Sequence, residues 1–401
     1  MRVLVHDFSG HPFQVQLSRE LARRGHVVTH SSCAAYVSGK GRLEAGPGES
    51  LTFETIGDGL VVEKDRFVRR LLQELRLGVE LARQVRRVRP DVAMMSNVQI
   101  PTLVVFALAM LVSRIPWVLW HQDVYAVAVR SFAGEKLSGA FRAVAFGFDV
   151  AEKWCSRRAA AIVVIADSFV PVHERWGTAD KVTVIPNWAP LDEIVPTERK
   201  NDWAVEQGLD DVFTLLYSGT LGLKHEPALL VHLAARVRDR GRDVRLVVVN
   251  EGPAVDLLRD EAARQHVDIT LLPFQPYERL PEVLGSGDVL VVLLDQQAGA
   301  FSVPSKTLSY LCAGRPVVGL MPAENAAADL VGSVGGKVAA PHVDALDEVA
   351  DWVAEVADDE PLRAELGKRA RELAETEFAL PRCADSFERI LAGVATDGAA
   401  S

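Results

Sequence analysis

Anion-binding chemistry is possible at Pro304, Ser305 and Lys306, which begin a predicted helix within the segment 298–318. The run DVLVVLL at 288–294 precedes them, and its continuous apolar character is typical of a parallel strand buried on both faces. Pro304 suits the first helical turn, where its missing N–H costs nothing. The free N–H groups of such a helix start, together with Lys306, would bind an anion at the carboxyl edge of a sheet. An ordinary βαβ unit with a polar loop has the same spacing.

Polar loops follow other predicted strands of the same half of the chain. The loop SGTLGLK at 218–224 combines Gly219 and Gly222, which let the backbone approach a ligand closely, with the positive charge of Lys224. The turn NEGP at 250–253 follows the next strand. A diphosphate requires N–H donors and a cation at a point of close approach, and the loop at 218–224 offers both.

The N-terminal half begins with a predicted strand at 2–6, the loop DFSGHPF at 7–13 and a helix at 13–24, which together form a Rossmann-like opening. The loop contains only Gly10 instead of the full GxGxxG pattern. No acidic residue ends the second predicted strand, at 27–30, where the ribose of NAD would need one. A nicotinamide dehydrogenase is therefore disfavoured.

His121 and Asp123 follow the predicted strand PWVLW at 116–120. Open α/β sheets place their ligands at the carboxyl ends of such strands, which favours a functional role for both side chains. The alternative is structural: His121 could cap the strand and bond to a neighbouring carbonyl group.

Strands and helices alternate along the whole chain and predict an α/β fold with two Rossmann-like domains that face each other across a cleft. We expect an N-terminal domain at 1–190, a polar linker at 191–208 and a C-terminal domain at 209–380. A last helix and a disordered tail would occupy 381–401.

Composition narrows the class of protein. The 401 residues carry a formal net charge of -10, which disfavours a nucleic-acid binder. Residues 1–190 hold 24 basic and 18 acidic residues, a net of +6, so the remaining residues carry -16. The four cysteines form no CxxC pair, which fits a reducing cytoplasm. No signal peptide is recognisable after Met1, and the longest apolar run, 103–112, is too short to span a bilayer.

The predicted helix at 66–89 contains eight arginines, two acidic residues and one apolar stripe. A solvated amphipathic helix has this pattern. A docking face for anionic lipid head groups has it too.

Four motifs in order resemble the retaining family 4 glycosyltransferases of the GT-B fold, close to the bacterial fucosamine-type transferases. They are LSRELARRGHVV at 17–28, VIPNW at 184–188, YSGTLGLKH at 217–225, and VPSKTLSYLCAGRPVV at 303–318 after NEGP. The resemblance covers nearly the whole chain. It implies a nucleoside-diphosphate-sugar donor, with UDP the expected nucleotide, in the C-terminal domain and a hydroxyl acceptor in the N-terminal domain. The final helix would pack back on the first domain.

The resemblance also implies roles for individual residues. His121, Asp123, Lys224 and Lys306 would act in catalysis. The segment 273–275 would hold the nucleobase, while His11 and Phe13 would bind the acceptor. The expected donor-binding residues are Gly10, Ser218, Gly219, Thr220, Asn250, Glu251, Phe274, Gln275, Ser302, Val303, Pro304, Ser305 and Ser309.

Three departures from the family pattern concern donor recognition. Phe301 and Ser309 stand where two glutamates are usual, and Thr220 stands where the phosphate-binding loop usually has an arginine. The N-terminal loop has one glycine instead of two.

These features predict transfer of a sugar with retention of the anomeric configuration, without a cofactor or a metal, since no Asp-x-Asp motif is present. The acceptor would be a glycan, a lipid-linked molecule or a natural product. Two alternatives remain: a nucleotide-sugar epimerase or hydrolase of the same fold, and a non-catalytic sugar-nucleotide-binding subunit. We expect a cytoplasmic protein, with peripheral association with the membrane left open.

Overall fold

The computed structural model describes residues 1–8, 12–35, 43–60, 67–124, 139–221, 225–252, 254–296 and 304–399. The chain divides into two compact units. One contains Met1–Asn187 with Leu380–Ser401, and the other contains Trp188–Ala379. Each unit is built around a parallel sheet, which confirms the predicted α/β class with two Rossmann-like domains.

The sheet of the first unit has the strand order β3-β2-β1-β4-β5-β6-β7, and each pair of neighbours is parallel. Successive strands are added on one side of β1 up to β3 and on its other side from β4 onward, so the strand order changes direction between β1 and β4. Open α/β sheets form a ligand crevice at this point. The strands are β1 Arg2–Asp7, β2 Val27–Cys33, β3 Leu51–Ile56, β4 Val92–Ser96, β5 Trp117–His121, β6 Ala161–Val164 and β7 Val182–Val184.

Helices connect these strands, as parallel pairing requires. They are α1 Pro12–Arg23, α2 Phe67–Val88, α3 Ile100–Ser113, α4 Gly139–Arg158 and α5 Val170–Trp176. The last helix of the chain, α14 Leu380–Ala399, also belongs to this unit. The Phe387 ring lies 4.6 Å from that of Trp120, and Arg24 pairs with Asp385 and Glu388. The described part of α14 extends to Ala399, well into the stretch expected to be a disordered tail.

The sheet of the second unit repeats the arrangement with the order β10-β9-β8-β11-β12-β13. In this sheet the strand order changes direction between β8 and β11. Alternate residues of β8 belong to two different apolar clusters, with Leu216 in one and Leu215 in the other. Both faces are therefore covered, as the continuous apolar runs predict. The strands are β8 Thr214–Ser218, β9 Arg245–Val249, β10 Ile269–Leu272, β11 Val289–Leu293, β12 Val317–Leu320 and β13 Lys337–Ala339.

The helices of this unit include two that the sequence analysis did not predict, α6 and α11. Asn201 caps α6 by accepting a hydrogen bond from the N–H of Ala204 at 3.0 Å. Ile194, Trp203 and Ala204 lie in the apolar core, so the segment 191–208 is part of the second unit and not a linker. The helices are α6 Asp202–Glu206, α7 Ala228–Asp239, α8 Ala254–Gln265, α9 Leu280–Gly285, α10 Lys306–Cys312, α11 Ala326–Ser333, α12 Asp347–Asp358 and α13 Glu360–Glu377.

Candidate functional site

The carboxyl ends of β8 and β11 bring Lys306 to the loop that follows β8. The ammonium group of Lys306 donates a hydrogen bond to the Tyr217 hydroxyl and lies 4.0 Å from the centre of the Tyr217 ring. The Tyr217 hydroxyl donates in turn to the carbonyl oxygen of Thr220 at 3.0 Å. The lysine is thus connected through one tyrosine to the backbone of the glycine-bearing loop.

The electrostatic state of Lys306 is unusual. Within the described part of the chain it forms no ion pair, and burial lowers its pKa to about 7. Burial also raises the pKa of Tyr217, so this phenol stays neutral and cannot compensate the ammonium charge. A desolvated lysine without a carboxylate partner favours an anion beside it, because that anion would restore the ammonium form.

Gly219 explains how the lysine reaches the loop. A Cβ atom built on this residue would lie 2.9 Å from Nζ and 3.2 Å from Cε of Lys306. Its φ of +142° is also a conformation that residues with side chains rarely adopt. Glycine is therefore favoured here by the backbone conformation, and its missing side chain also leaves room for the end of the Lys306 side chain.

Two side chains fix the described part of this loop, residues 218–221. The Tyr310 hydroxyl, carried by α10, accepts from the N–H of Ser218 at 2.9 Å and donates to its carbonyl oxygen at 3.1 Å. Asn250, at the end of β9, accepts from the N–H of Leu221 at 2.9 Å. Neighbouring elements hold residues 218–221 from both sides, so the backbone of this part of the loop is preorganised.

Two buried polar atoms at this edge have no hydrogen-bond partner among the described residues. They are Nδ2 of Asn250 and Oγ1 of Thr307, the residue after Lys306. The two residues are exposed by only 3% and 1%. Because buried polar groups are nearly always hydrogen-bonded, a bound polar ligand or water is the natural partner of both.

A further pair of loops follows β9 and β10. The carboxylate of Glu251 accepts from the N–H of Phe274 at 3.2 Å, and the Phe274 ring is 45% exposed. The side chain of Gln275 accepts from the indole N–H of Trp203 at 3.1 Å and donates to the carbonyl oxygen of Pro273 at 2.9 Å. The arrangement presents an aromatic face on a fixed loop, as a nucleobase site would need.

In the first unit, His121 lies in a buried chain of polar groups. Its Nε2 lies 2.8 Å from the carboxylate of Glu152, and its Nδ1 lies 3.2 Å from Nε2 of His173. Nδ1 of His173 lies 3.0 Å from the Thr178 hydroxyl, and burial, followed by the charge of His121, lowers the pKa of His173 to about 3. Both ring nitrogens of His121 therefore have protein partners, which favours a structural role.

Two family models match the chain. The model described as "Glycosyl transferase 4-like domain" matches residues 11–188, and the model described as "Glycosyl transferases group 1" matches residues 199–373. Together they span nearly all of both units, and each sheet has the expected Rossmann-like order. The chain belongs to the GT-B glycosyltransferases.

Curated relatives of this glycosyltransferase match over part of its length. It is 26% identical over 145 residues to a putative colanic acid biosynthesis glycosyl transferase, WcaI, of Escherichia coli (strain K12), an alignment that covers 35% of each chain. It is 25% identical over 247 residues to alpha-D-kanosaminyltransferase of Streptomyces kanamyceticus, which covers 60% of this chain and 62% of the relative. The chain thus spans less than two thirds of either relative.

Solved structures with the same fold match over the full length. Anabaena HepE in complex with UDP and glucose superposes with a TM-score of 0.70 and 16% identity, covering 98% of this chain and 100% of the other. Sucrose-phosphate synthase from Thermosynechococcus elongatus gives a TM-score of 0.75 and 14% identity, covering 100% of both chains. At these identities the likeness shows the fold.

The structure of the glycosyltransferase brings together several of the predicted site residues. Gly219 touches Lys306, and hydrogen bonds connect Glu251 with Phe274 and Asn250 with the loop that contains Thr220. Ser218, Pro304, Ser305 and Ser309 lie on the same two βα connections, while His121, Asp123 and Phe13 lie in the first unit. Gly10, His11, Lys224, Ser302, Val303 and the Phe301 position are outside the described residues.

Sequence reasoning missed Tyr217, Tyr310 and Thr307. The tyrosine that follows Leu215 and Leu216 in β8 was a usable signal, because its hydroxyl needs a partner when it is buried. Tyr310 and Thr307 carried no comparable signal. Both lie in the short helix α10, and only the fold shows that they are buried at the β8 end.

Proposed function

We propose that this protein transfers a sugar from a nucleoside-diphosphate-sugar donor to a hydroxyl group of an acceptor, with retention of the anomeric configuration. The donor diphosphate binds in the second unit, at the carboxyl ends of β8 and β11. The observation that carries the proposal is the desolvated ammonium of Lys306 on Gly219, together with the buried Oγ1 of the next residue, Thr307, which has no hydrogen-bond partner in the described part of the chain.

The diphosphate supplies what this site lacks. Its negative charge would neutralise Lys306, and its oxygens would accept from Lys306, from the Thr307 hydroxyl and from the amide of Asn250. Phe274, fixed by Glu251 at the end of the neighbouring strand, would stack on the base. The names of two similar proteins support a uridine nucleotide and the transfer of a sugar. HepE was crystallised with UDP and glucose, and the Streptomyces relative is a kanosaminyltransferase.

The reaction needs one bond broken and one formed at the anomeric carbon. The bond to the diphosphate oxygen breaks, and the acceptor oxygen bonds to the same face of the sugar. The acceptor proton passes to the departing diphosphate. Lys306 stabilises the negative charge that develops on the leaving group, and the preorganised loop needs no rearrangement as that charge appears. Positioning of the two substrates supplies the remaining rate enhancement.

The test is turnover of a panel of nucleotide sugars by wild-type protein and by Lys306→Ala. A donor is first identified by its stabilisation of the folded protein in thermal unfolding, since a ligand that binds only the native state raises the melting temperature. We expect Lys306→Ala to lower turnover by about 10²-fold or more, as loss of one charge-stabilising group does. Lys368→Ala, an exposed lysine of α13 in the same unit, is the matched control. Near-normal turnover in Lys306→Ala would refute the role of Lys306.

Two other outcomes point to the alternative functions. Consumption of the donor without any acceptor would identify an epimerase or a hydrolase. Donor binding in calorimetry without turnover against any glycan, lipid-linked or natural-product acceptor would identify a binding subunit, an outcome that the absent glutamates at 301 and 309 make worth testing.

A further inference from the structure

Helix α3 has an apolar outer face. Its sequence, IPTLVVFALAMLVS, contains no charged residue. A helix that is apolar on every side is ordinarily buried on every side. The inner side packs in the core of the first unit, but Leu108, Leu111 and Val112 are exposed, Val112 by 79%. No described helix is both long and apolar enough to cross a bilayer.

Helix α2, which packs beside α3, extends this surface. Val68 and Leu72 are 68% and 62% exposed, and Val79 is also exposed. Arg86 connects the two helices, donating to the Ser113 hydroxyl at 2.7 Å. Arg86 thus connects the two packed helices, and we call the apolar strip on α2 together with the outer face of α3 the α2–α3 face.

Arginines flank the apolar strip. Arg76 and Arg83 follow Leu72 and Val79 by four positions, so each lies next to an apolar side chain on the helix surface. These two arginines and Arg87 line a cavity of about 440 Å³ at the carboxyl end of β3.

The charges of this cavity are incompletely paired. Arg76 pairs with Glu80, and Arg87 pairs with Glu54. Arg83 is exposed and has no ion pair within the part of the chain that the structure describes. Asp58, also in the lining, accepts from the Thr55 hydroxyl. Glu54, Glu80 and Asp58 equal the three arginines in number, but Arg83 has no carboxylate partner among the described residues. The guanidinium group of Arg83 is therefore the part of the lining that suits an anion such as a phosphate group.

We infer that the α2–α3 face docks on an anionic lipid bilayer, with its apolar residues among the acyl chains and a lipid phosphate in the cavity at Arg83. An apolar strip beside a row of arginines matches the layering of a bilayer, in which the phosphates lie directly above the acyl chains. A second copy of the chain would fit less well, because a two-fold contact between identical surfaces would oppose arginines to arginines. Docking is measured without donor or acceptor and is independent of sugar transfer.

The experiment is sedimentation of the full chain with two kinds of vesicle at low salt. One kind contains phosphatidylcholine alone, and the other contains phosphatidylglycerol and phosphatidylcholine in equal parts. We expect binding to the anionic vesicles that weakens with salt. Arg76→Gln with Arg83→Gln should lower the affinity by roughly 10–30-fold, because each basic residue near an anionic surface contributes about a factor of five. Leu108→Ser with Leu111→Ser should abolish binding while these charges stay in place.

Matched controls separate the α2–α3 face from the rest of the surface. Arg175→Gln removes an exposed arginine of α5, and Val205→Ser removes an exposed valine of the second unit. Both should bind vesicles as the wild type does. All variants should stay folded at the assay temperature, with only the leucine variant melting a few degrees lower, because Leu108 and Leu111 are about half exposed. Absence of binding, equal binding to neutral vesicles, or full binding by either double variant would overturn the inference. Two further results would also overturn it. One is binding of inorganic phosphate in the cavity by a protein that does not bind vesicles. The other is a dimer, detected by light scattering, that is absent in the leucine variant.

Discussion

Replacement of Lys306 by methionine should stabilise the fold near neutral pH while it removes donor binding. Methionine has a similar length, no charge and no need of a hydrogen-bond partner. Wild-type protein must keep the Lys306 ammonium group in a desolvated position, which lowers its pKa to about 7. The methionine variant does not carry the free-energy cost of desolvating this charge. Stability and function should therefore change in opposite directions.

The magnitude follows from the pKa. A change from the ordinary lysine value to about 7 corresponds to roughly 5 kcal/mol, since one unit is about 1.4 kcal/mol, and partial exposure reduces this to about 3 kcal/mol. Loss of the hydrogen bond and the ring contact with Tyr217 offsets roughly 1–2 kcal/mol. A net gain of about 1–2 kcal/mol remains, which is a few degrees in melting temperature for a unit of this size.

The pH dependence has a defined sign. The folded-state pKa of this base is depressed, so between about pH 7 and pH 10 the unfolded state binds more protons and wild-type stability rises with pH. The penalty is fully present below the folded pKa and vanishes as the pH approaches the unfolded value. The gain in Lys306→Met should thus be largest at about pH 6.5. It should turn into a small loss near pH 10, where only the lost contacts with Tyr217 count.

Urea and thermal unfolding of wild type, Lys306→Met and Lys368→Met across this pH range test the reasoning. Lys368 is 68% exposed, so its substitution should change stability by less than about 0.5 kcal/mol at any pH. A Lys306→Met variant that is less stable than wild type at every pH would show that the ammonium is paired instead of desolvated. A gain that does not vary with pH would show that ionisation is not its cause.

Three further predictions concern the site and its surroundings. The affinity for a nucleotide sugar, measured by calorimetry, should fall by up to about tenfold per unit above about pH 7, because neutral Lys306 must take up a proton when the diphosphate binds. An affinity that is constant to pH 9 would separate the lysine from the donor. Gly219→Ala should weaken donor binding at least about tenfold and cost about 1–3 kcal/mol, since its Cβ would meet Lys306 in a strained backbone; wild-type melting and affinity would contradict the proposed contact. Glu152→Leu should destabilise the first unit by about 1–3 kcal/mol through the unpartnered His121 and leave donor affinity unchanged. A stable variant without turnover would instead give His121 a catalytic role.

The fold was predictable because strands and helices alternate with clear periodicity. Parallel strands bring their carboxyl ends to one edge, so the order of strands and loops along the chain was enough to predict that Ser218, Asn250 and Lys306 share one side of a sheet. The prediction of a linker at 191–208 was wrong. The segment has a polar composition because its five-residue helix buries only two side chains. Its buried Trp203 was the residue that argued against a linker.

The contacts within the site were not predictable, because they join residues that are far apart in sequence. Lys306 and Tyr217 are separated by 89 positions, and His121 and His173 by 52. Residue type suggested that Gly219 made room for a phosphate. The structure shows that a lysine side chain lies there, and that this lysine would meet the phosphate. A glycine in a polar loop indicates that another group approaches the backbone closely, but it does not identify that group.

Net charge likewise says little about what the second unit binds. The C-terminal half carries -16, which taken as a whole would repel a diphosphate. Many of its carboxylates lie on outer helices and are paired, as Asp347 and Asp351 are with Arg236 and Arg240. Charges of this kind are screened within about 10 Å in salt solution. Lys306 is largely desolvated, so its field acts at short range on a ligand at the β8 end with little opposition. One desolvated lysine can therefore determine the ligand of a strongly acidic domain.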